Sequence, residues 1–243
     1  MKIAISAVAI ATMDGLFEQN YERAFFLGGL CLAYKPDIIL FPETFAGAFD
    51  GPDITRYAED PESKNVQWFR ALSARGDCIT AIGYMEKTPR GIKNACVIFD
   101  RGKLIGVHYK KQLWPDTLRP YRDEPALMLQ GESVGIFDTR FGRMGVLICY
   151  ENEIPENWTA LRGKVDFILS PYNCENDPVG RSKQMAANTG VPSAWADRTG
   201  TVFQGDHYMP NMGSAGLMDK DGAVIKKSAP GVEDIVIGKI YID

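Results

Sequence analysis

Short apolar runs rich in β-branched residues recur along this chain, and segments of helical period separate some of them. The runs occupy residues 2–10, 37–41, 78–85, 95–100, 103–109, 144–150, 165–170 and 234–242. Each is bounded by Gly, Pro or Asp, and each suits a strand buried on at least one face. Residues 18–34 place Tyr21, Ala24, Phe25, Leu27, Gly28 and Leu32 at three- and four-residue steps. Residues 62–75 do the same with Val66, Phe69, Leu72 and Ser73, and Glu62 after Asp60 and Pro61 marks a helix start. Pro155 fits the first turn of another helix, and a further one is expected from about Val179 to Asn188, ending near Gly190. The runs at 95–100 and 103–109 are separated only by Arg101 and Gly102, as a hairpin requires. Strands alternating with helices and mixed with hairpins predict an α/β protein whose sheets are covered by helices. No repeat, low-complexity tract or linker interrupts the pattern, so residues 1–243 read as one domain.

Composition narrows the function classes. The formal net charge is −4 with no basic block, so neither nucleic acid nor an anionic membrane is an expected partner. No apolar run approaches the roughly 20 residues that span a bilayer. Lys2 precedes an apolar stretch, but the stretch is short and Asp14 follows without a cleavage pattern, so a first core strand is expected there rather than a signal peptide. Cys31, Cys78, Cys96, Cys149 and Cys174 show no C-x-x-C spacing and are odd in number, which points to reduced thiols in a cytoplasmic protein. The commonest fate of such a cysteine is that of a small buried hydrophobe. His108 and His207 belong to no metal-binding pattern, and no G-x-S-x-G elbow accompanies them. Neither a metal nor a cofactor is expected.

Three places depart from plain structural sequence. In Phe41-Pro42-Glu43 a carboxylate directly follows a buried strand, at the carboxyl end where open α/β sheets place their ligands. An exposed turn glutamate is the plainer reading. Lys110 and Lys111 close the strand that begins at Lys103, where lysines also serve as solvated edge protection. In Gly145-Val146-Leu147-Ile148-Cys149-Tyr150-Glu151 a cysteine ends an apolar strand just before a turn into a helix. That placement aims the sulfur at the rim of the sheet and brings backbone N–H groups near it, both of which favour a thiolate.

A glutamate, a lysine and a cysteine in that order, each at a strand end, resemble the Glu-Lys-Cys set of the carbon–nitrogen hydrolase (nitrilase) superfamily, in its amidase-like branch. The resemblance is carried by F-P-E, by G-x-x-x-G-x-x-x-K from Gly102 to Lys110, by E-x6-G from Glu124 to Gly131 and by the motif around Cys149. Arg181 to Gly200 is similar in degenerate form to the family's R-A-x-E-N-x…N-R-x-G region. Ser214 and the later Asp-Lys-Asp-Gly resemble its G-x-S-x-I-x-D-P-x-G hairpin. Membership implies a four-layer α-β-β-α sandwich and assembly as a homodimer or higher homo-oligomer. The family's spacing from Gly102 and its K-x-x-L pattern both point to Lys110. Side-chain alternation puts 110 and 111 on opposite faces, so only one enters the site.

The resemblance further implies Cys149 as nucleophile, Glu43 as its base, and Lys110 with the backbone N–H of Tyr150 as oxyanion donors. Glu124 would position the lysine or the substrate. The reaction implied is hydrolysis of a non-peptide C–N bond in a small amide or N-carbamoyl compound through a thioester. Alternatives are nitrile hydrolysis and acyl transfer, because G-V-x-x-K-x-x-L-x-P with I-C-Y-E also resembles the apolipoprotein N-acyltransferase catalytic domain. A scaffold that kept only the fold is the non-enzymatic alternative. Pocket shape is expected from loops around 45–57, 112–130, 172–180 and 203–213. Trp114, Tyr121, Tyr172, Trp195 and Tyr208 are candidate lining residues, with core packing as their other fate, and a packing role is expected for Cys174.

Overall fold

The strands at the centre of the molecule are apolar on both faces, and that property sets the layering. The computed structural model describes residues 1–47, 54–117, 123–204 and 207–242, with only the backbone of Phe203, Gln204 and His207. In β1 (Lys2–Met13) Ile3, Ile5, Ala7 and Ala9 enter one core while Val8 and Ile10 enter another. In β2 (Ile38–Leu40) Ile38 and Leu40 take the first side and Ile39 the second. Successive strand side chains point to opposite faces, so a strand with no polar face must be covered on both.

The first sheet has eight strands. Its path adds β3 (Ile79–Thr88), β4 (Gly91–Asp100), β5 (Lys103–Tyr109), β10 (Arg198–Gln204), β11 (His207–Met212) and β14 (Asp234–Tyr241) to the first two. The order is β11-β10-β1-β2-β3-β4-β5, with β14 antiparallel to β1. The second sheet is built from β6 (Gly135–Thr139), β7 (Gly142–Val146), β8 (Phe167–Pro171), β9 (Ser193–Ala196), β12 (Gly216–Met218) and β13 (Val224–Lys227), in the order β13-β12-β9-β8-β7-β6. Ile5, Leu40, Ala81 and Ile98 of the first sheet share one core with Met144, Val146, Phe167, Leu169 and Leu217 of the second.

Helices cover the outer faces. Helices α1 (Phe17–Cys31) and α2 (Lys64–Gly76) bury Tyr21, Ala24, Leu27, Phe69 and Leu72 against Val8, Ile39 and Val97. A fully buried Leu or Phe contributes about 1.5–3 kcal/mol, so this face alone is a large part of the stability. On the second sheet, α4 (Pro155–Leu161) and α5 (Val179–Thr189) contribute Leu161 and Met185 to a core with Leu147 and Ile168. The short α3 (Glu124–Leu127) lies beyond β5 in the chain. The result is the α-β-β-α sandwich.

Local chemistry accounts for most element ends. Arg101 (φ 52°) and Gly102 (φ 76°) both take the left-handed turn that joins β4 to β5, as a two-residue hairpin loop needs. Gly190 (φ 73°) ends α5. Helix α2 begins at Lys64 and not at Glu62, because Ser63 caps it by accepting the Val66 N–H at 3.3 Å, whereas Asp60 turns back to accept the Glu62 N–H. The strand expected over 144–150 stops at Val146, and Cys149–Glu153 form a 3-10 turn. Strands β6, β9, β10 and β11 have no counterpart among the expected runs. Three of them carry Gly, Asp, Arg, Thr, Gln or Pro within their spans, and β9 is only four residues long. The Asp219–Gly222 segment does close a hairpin, between β12 and β13.

Candidate active site

Glu43 follows β2 by three residues and is 2% exposed, its N–H donating to Tyr172 O at 3.1 Å. The close packing beneath it depends on Gly83 of β3. A Cβ there would stand 2.4 Å from Pro42 O and 2.5 Å from Glu43 Cα, so only glycine lets these backbones approach.

Lys110 is the first residue after β5, and its backbone is held on both sides. Its N–H donates to Asn94 O at 2.9 Å, and its carbonyl accepts the Gly131 N–H at 2.8 Å. The side chain is 1% exposed. Its Nζ donates to Glu43 Oε1 at 2.7 Å and reaches Glu124 Oε2 at 2.8 Å. Lys111 is half-buried, and its own N–H goes to Glu151 Oε1 at 2.7 Å. Glu124 opens α3 and also accepts the Trp114 N–H at 2.6 Å. Asn94 of β4 completes the cluster, its Nδ2 donating to Glu43 Oε1 at 2.7 Å and to Glu124 Oε1 at 2.9 Å.

Two acids and one base are therefore buried together. Burial alone pulls the Lys110 ammonium down, but Glu124, Glu43 and the Cys149 sulfur outweigh it and hold the group well above the usual lysine range. Burial pushes the Glu43 carboxyl up, the Lys110 charge draws it back, and Glu124 adds to the rise. The net result for Glu43 is a carboxyl raised above its ordinary value.

Cys149 begins the 3-10 turn in a left-handed conformation, φ 47°. A non-glycine residue held there costs about 1–3 kcal/mol and persists only where its surroundings over-determine it. Those surroundings are present. Asn152 Nδ2 donates to the carbonyls of Leu147 and Cys149, both at 3.0 Å, while its Oδ1 accepts from Ser170 Oγ at 2.8 Å. Glu151 accepts the Ile148 N–H at 2.6 Å. The first bond of the turn runs from Glu151 N–H to Ile148 O, so the amides of Cys149 and Tyr150 precede it. Tyr150 packs edge-on against Trp114, ring centroids 5.0 Å apart.

Glu43, Lys110, Glu124 and Cys149 line one cavity of about 270 Å³, together with Trp114, Glu153, Asn173, Cys174, Glu175, Asn176 and Arg181. The residues singled out in the sequence meet here, and Lys110 rather than Lys111 faces the space. Of the aromatic candidates Trp114 lines it, whereas Tyr172 and Trp195 are fully buried core and Tyr208 is exposed. Tyr121 lies outside the described residues. Cys174 packs beside Tyr172 and Trp195 as expected, but its Sγ also stands 3.5 Å from Cys149 Sγ on the cavity wall. Sequence reasoning missed Asn94, whose only signal was a lone amide at the start of an apolar strand. It also missed Glu151 and the pairing of Arg181 with Glu153 at 2.9 Å.

The carbon-nitrogen hydrolase family model matches residues 3–243. The chain belongs to the carbon–nitrogen hydrolase family. Among curated members it is 28% identical over 220 residues to "Probable nitrilase C965.09" of Schizosaccharomyces pombe, covering 85% of this chain and 76% of that one. It is 25% identical over 224 residues to an (R)-stereoselective amidase of a Pseudomonas species, covering 91% and 79%. The crystal structure of a carbon-nitrogen hydrolase from Helicobacter pylori G27 superposes with a TM-score of 0.86 at 18% identity, over 99% of this chain and 90% of that one. As a carbon–nitrogen hydrolase, the protein is an enzyme. Among the described residues no helix is long and apolar enough to cross a membrane.

Proposed function

We propose that this enzyme hydrolyses a small amide or N-carbamoyl compound through a thioester on Cys149. The observation that carries the reading is Lys110 Nζ, held at 2.7–2.8 Å between Glu43 and Glu124 on the cavity that Cys149 also lines. A free thiol at neutral pH is only a few per cent thiolate and needs a base. Glu43 takes the Cys149 proton, and the sulfur attacks the carbonyl carbon. Lys110 and the Tyr150 N–H receive the developing oxyanion, a role in which one donor is worth about 2.7–4 kcal/mol of barrier. The raised Glu43 carboxyl then returns its proton to the departing nitrogen, and the C–N bond breaks. Glu43 next takes a proton from water, which cleaves the thioester and frees the acid and the thiol. Glu124 and Asn94 keep Lys110 and Glu43 in register throughout. The homodimer implied by the resemblance belongs to the same proposal, and light scattering of the purified protein tests it.

The test is ammonia release over a panel of small amides, ω-amides, N-carbamoyl amino acids and nitriles, with Cys149→Ala in parallel. Turnover of one class that the alanine variant lacks supports the reading and names the class. Ammonia released only from nitriles replaces amide hydrolysis with nitrilase chemistry. If no compound releases ammonia but product forms when an amine is added, acyl transfer takes its place. Equal turnover by the alanine variant removes Cys149 from the mechanism.

A further inference from the structure

Cys149 opens the 3-10 turn and Cys174 lies in the loop after β8, 25 residues apart, with their sulfurs facing each other at 3.5 Å. A disulfide requires about 2.05 Å between sulfurs, so closure is about 1.5 Å of approach. The backbone at both positions is tied. Asn152 holds the Cys149 carbonyl, and Asp197 Oδ1 accepts the Cys174 N–H at 3.0 Å. The approach is therefore left to rotation of the two side chains. Both sulfurs border the cavity, and Cys149 is partly exposed. The other cysteines are differently placed. Cys31, Cys78 and Cys96 are fully buried, and burial pushes each thiol up to about 12. The hydrogen bond with the Cys149 sulfur and its own burial hold the Cys174 thiol well above the usual range, so a partly exposed sulfur stands beside a buried thiol.

We propose that Cys149 and Cys174 are a redox pair, in which a peroxide converts the open site to a disulfide and a dithiol reopens it. In the first step the Cys149 thiolate attacks a peroxide oxygen. The O–O bond breaks, the sulfur is oxidised to the sulfenic acid, and the peroxide is reduced to water or an alcohol. In the second step the Cys174 sulfur attacks the sulfenic sulfur, the S–O bond breaks, and the oxygen leaves as water with the Cys174 proton. A dithiol reverses the link by exchange and is itself oxidised to its cyclic disulfide. The gain is protection. A sulfenic acid without a resolving thiol goes on to the irreversible sulfinic acid. Disulfide formation stands on the geometry alone, whereas loss of activity on closure rests on Cys149 being the nucleophile.

The experiment treats reduced protein with a small excess of hydrogen peroxide, digests it with trypsin without reduction, and assays parallel samples before and after dithiothreitol. The two cysteines fall in separate tryptic peptides, 144–162 and 165–181, neither containing another cysteine. The linked pair, lighter by two hydrogens than the sum of its parts, is expected as the main oxidised species. At least tenfold loss of activity should be restored by dithiothreitol. Cys174→Ser and Cys174→Ala should lose activity to peroxide and fail to recover, with sulfinic acid at Cys149. Sulfinic acid in the native protein without the linked peptide overturns the proposal, as does recovery of the Cys174 variants equal to that of the native chain. Protein that forms the link but never released ammonia before oxidation keeps the redox pair and discards the proposed amidase reaction.

Discussion

Glu151 Oε2 lies 2.7 Å from His108 Nε2, with both side chains buried. The same carboxylate accepts the N–H of Ile148, just before Cys149, and that of Lys111, just after Lys110. One side chain thus ties the backbones that present the two groups across the cavity. Glu151→Gln keeps the shape but offers one acceptor oxygen to donors that now use two. The expected stability loss is about 1–3 kcal/mol, read from urea unfolding. Misplacing the reacting groups should lower kcat by roughly 10–100-fold with little change in KM. A stability loss with unchanged kcat would confine Glu151 to a structural role.

Lys110→Met leaves Glu43 and Glu124 buried with only the Asn94 amide between them. Removing one partner of a buried ion pair costs about 3–5 kcal/mol, and activity should fall by roughly 10²–10³. Without the cation the folded Glu43 carboxyl, already raised by burial, moves further above the unfolded value of about 4.3. Stability from such a group is fully present below that value and is lost as pH rises through the raised folded one. The variant should therefore be more stable at about pH 5 than at about pH 8 relative to native protein. A loss equal at both would show that the carboxylates stay charged without the lysine.

Asp197 is fully buried behind Cys174, and burial pushes its carboxyl well above the usual range, more than two backbone N–H bonds and Arg198 pull it back. Among the described residues its Oδ2 has no hydrogen-bond partner. By the same linkage, its contribution is complete below the unfolded value of about 3.9 and declines as pH rises through the folded one. Asp197→Asn keeps an acceptor for both amides and removes the ionisation. Thermal unfolding between about pH 5 and 9 should give a flatter profile, with the variant gaining on native protein toward the alkaline end. An unchanged slope would mean that Asp197 does not titrate in this range.

Gly83→Ala places a methyl group against Pro42 O and Glu43 Cα at 2.4–2.5 Å, and backbone cannot rotate away as a side chain can. A cost of about 1–3 kcal/mol is expected, and the shifted Glu43 should reduce kcat/KM by about tenfold or more. The control is Gly29→Ala on α1, where a Cβ would meet nothing within 4 Å. That variant should unfold at or slightly above the native urea midpoint, because Ala is the better helix former. Equal behaviour of the two variants would show that the approach of Gly83 to Glu43 carries no weight.

By itself the sequence determined that strands such as 2–10 and 37–41 are buried on at least one face, because they are short apolar runs bounded by Gly, Pro or Asp. That both faces are covered was decided by the packing. The sequence also determined that Glu43, Lys110 and Cys149 each follow such a strand, because strand ends announce themselves through Pro, Lys and the change of period. Weakly patterned segments such as 135–139 and 198–212 gave no such signal, and their strands exist because a neighbour offers a ladder. Only the tertiary structure decided that Asn94 bridges two carboxylates, that Glu151 reaches back to His108, and that Lys110 rather than Lys111 turns inward. The same holds for Cys174, which reads as a packing residue until β8 and the Cys149 turn bring two sulfurs together. Periodicity fixes the face on which a side chain lies, but the group that meets it comes from 25 to 67 residues away, as with Cys174 and Lys110. Contacts at that range depend on how two sheets stack, and no local pattern of residues encodes the stacking.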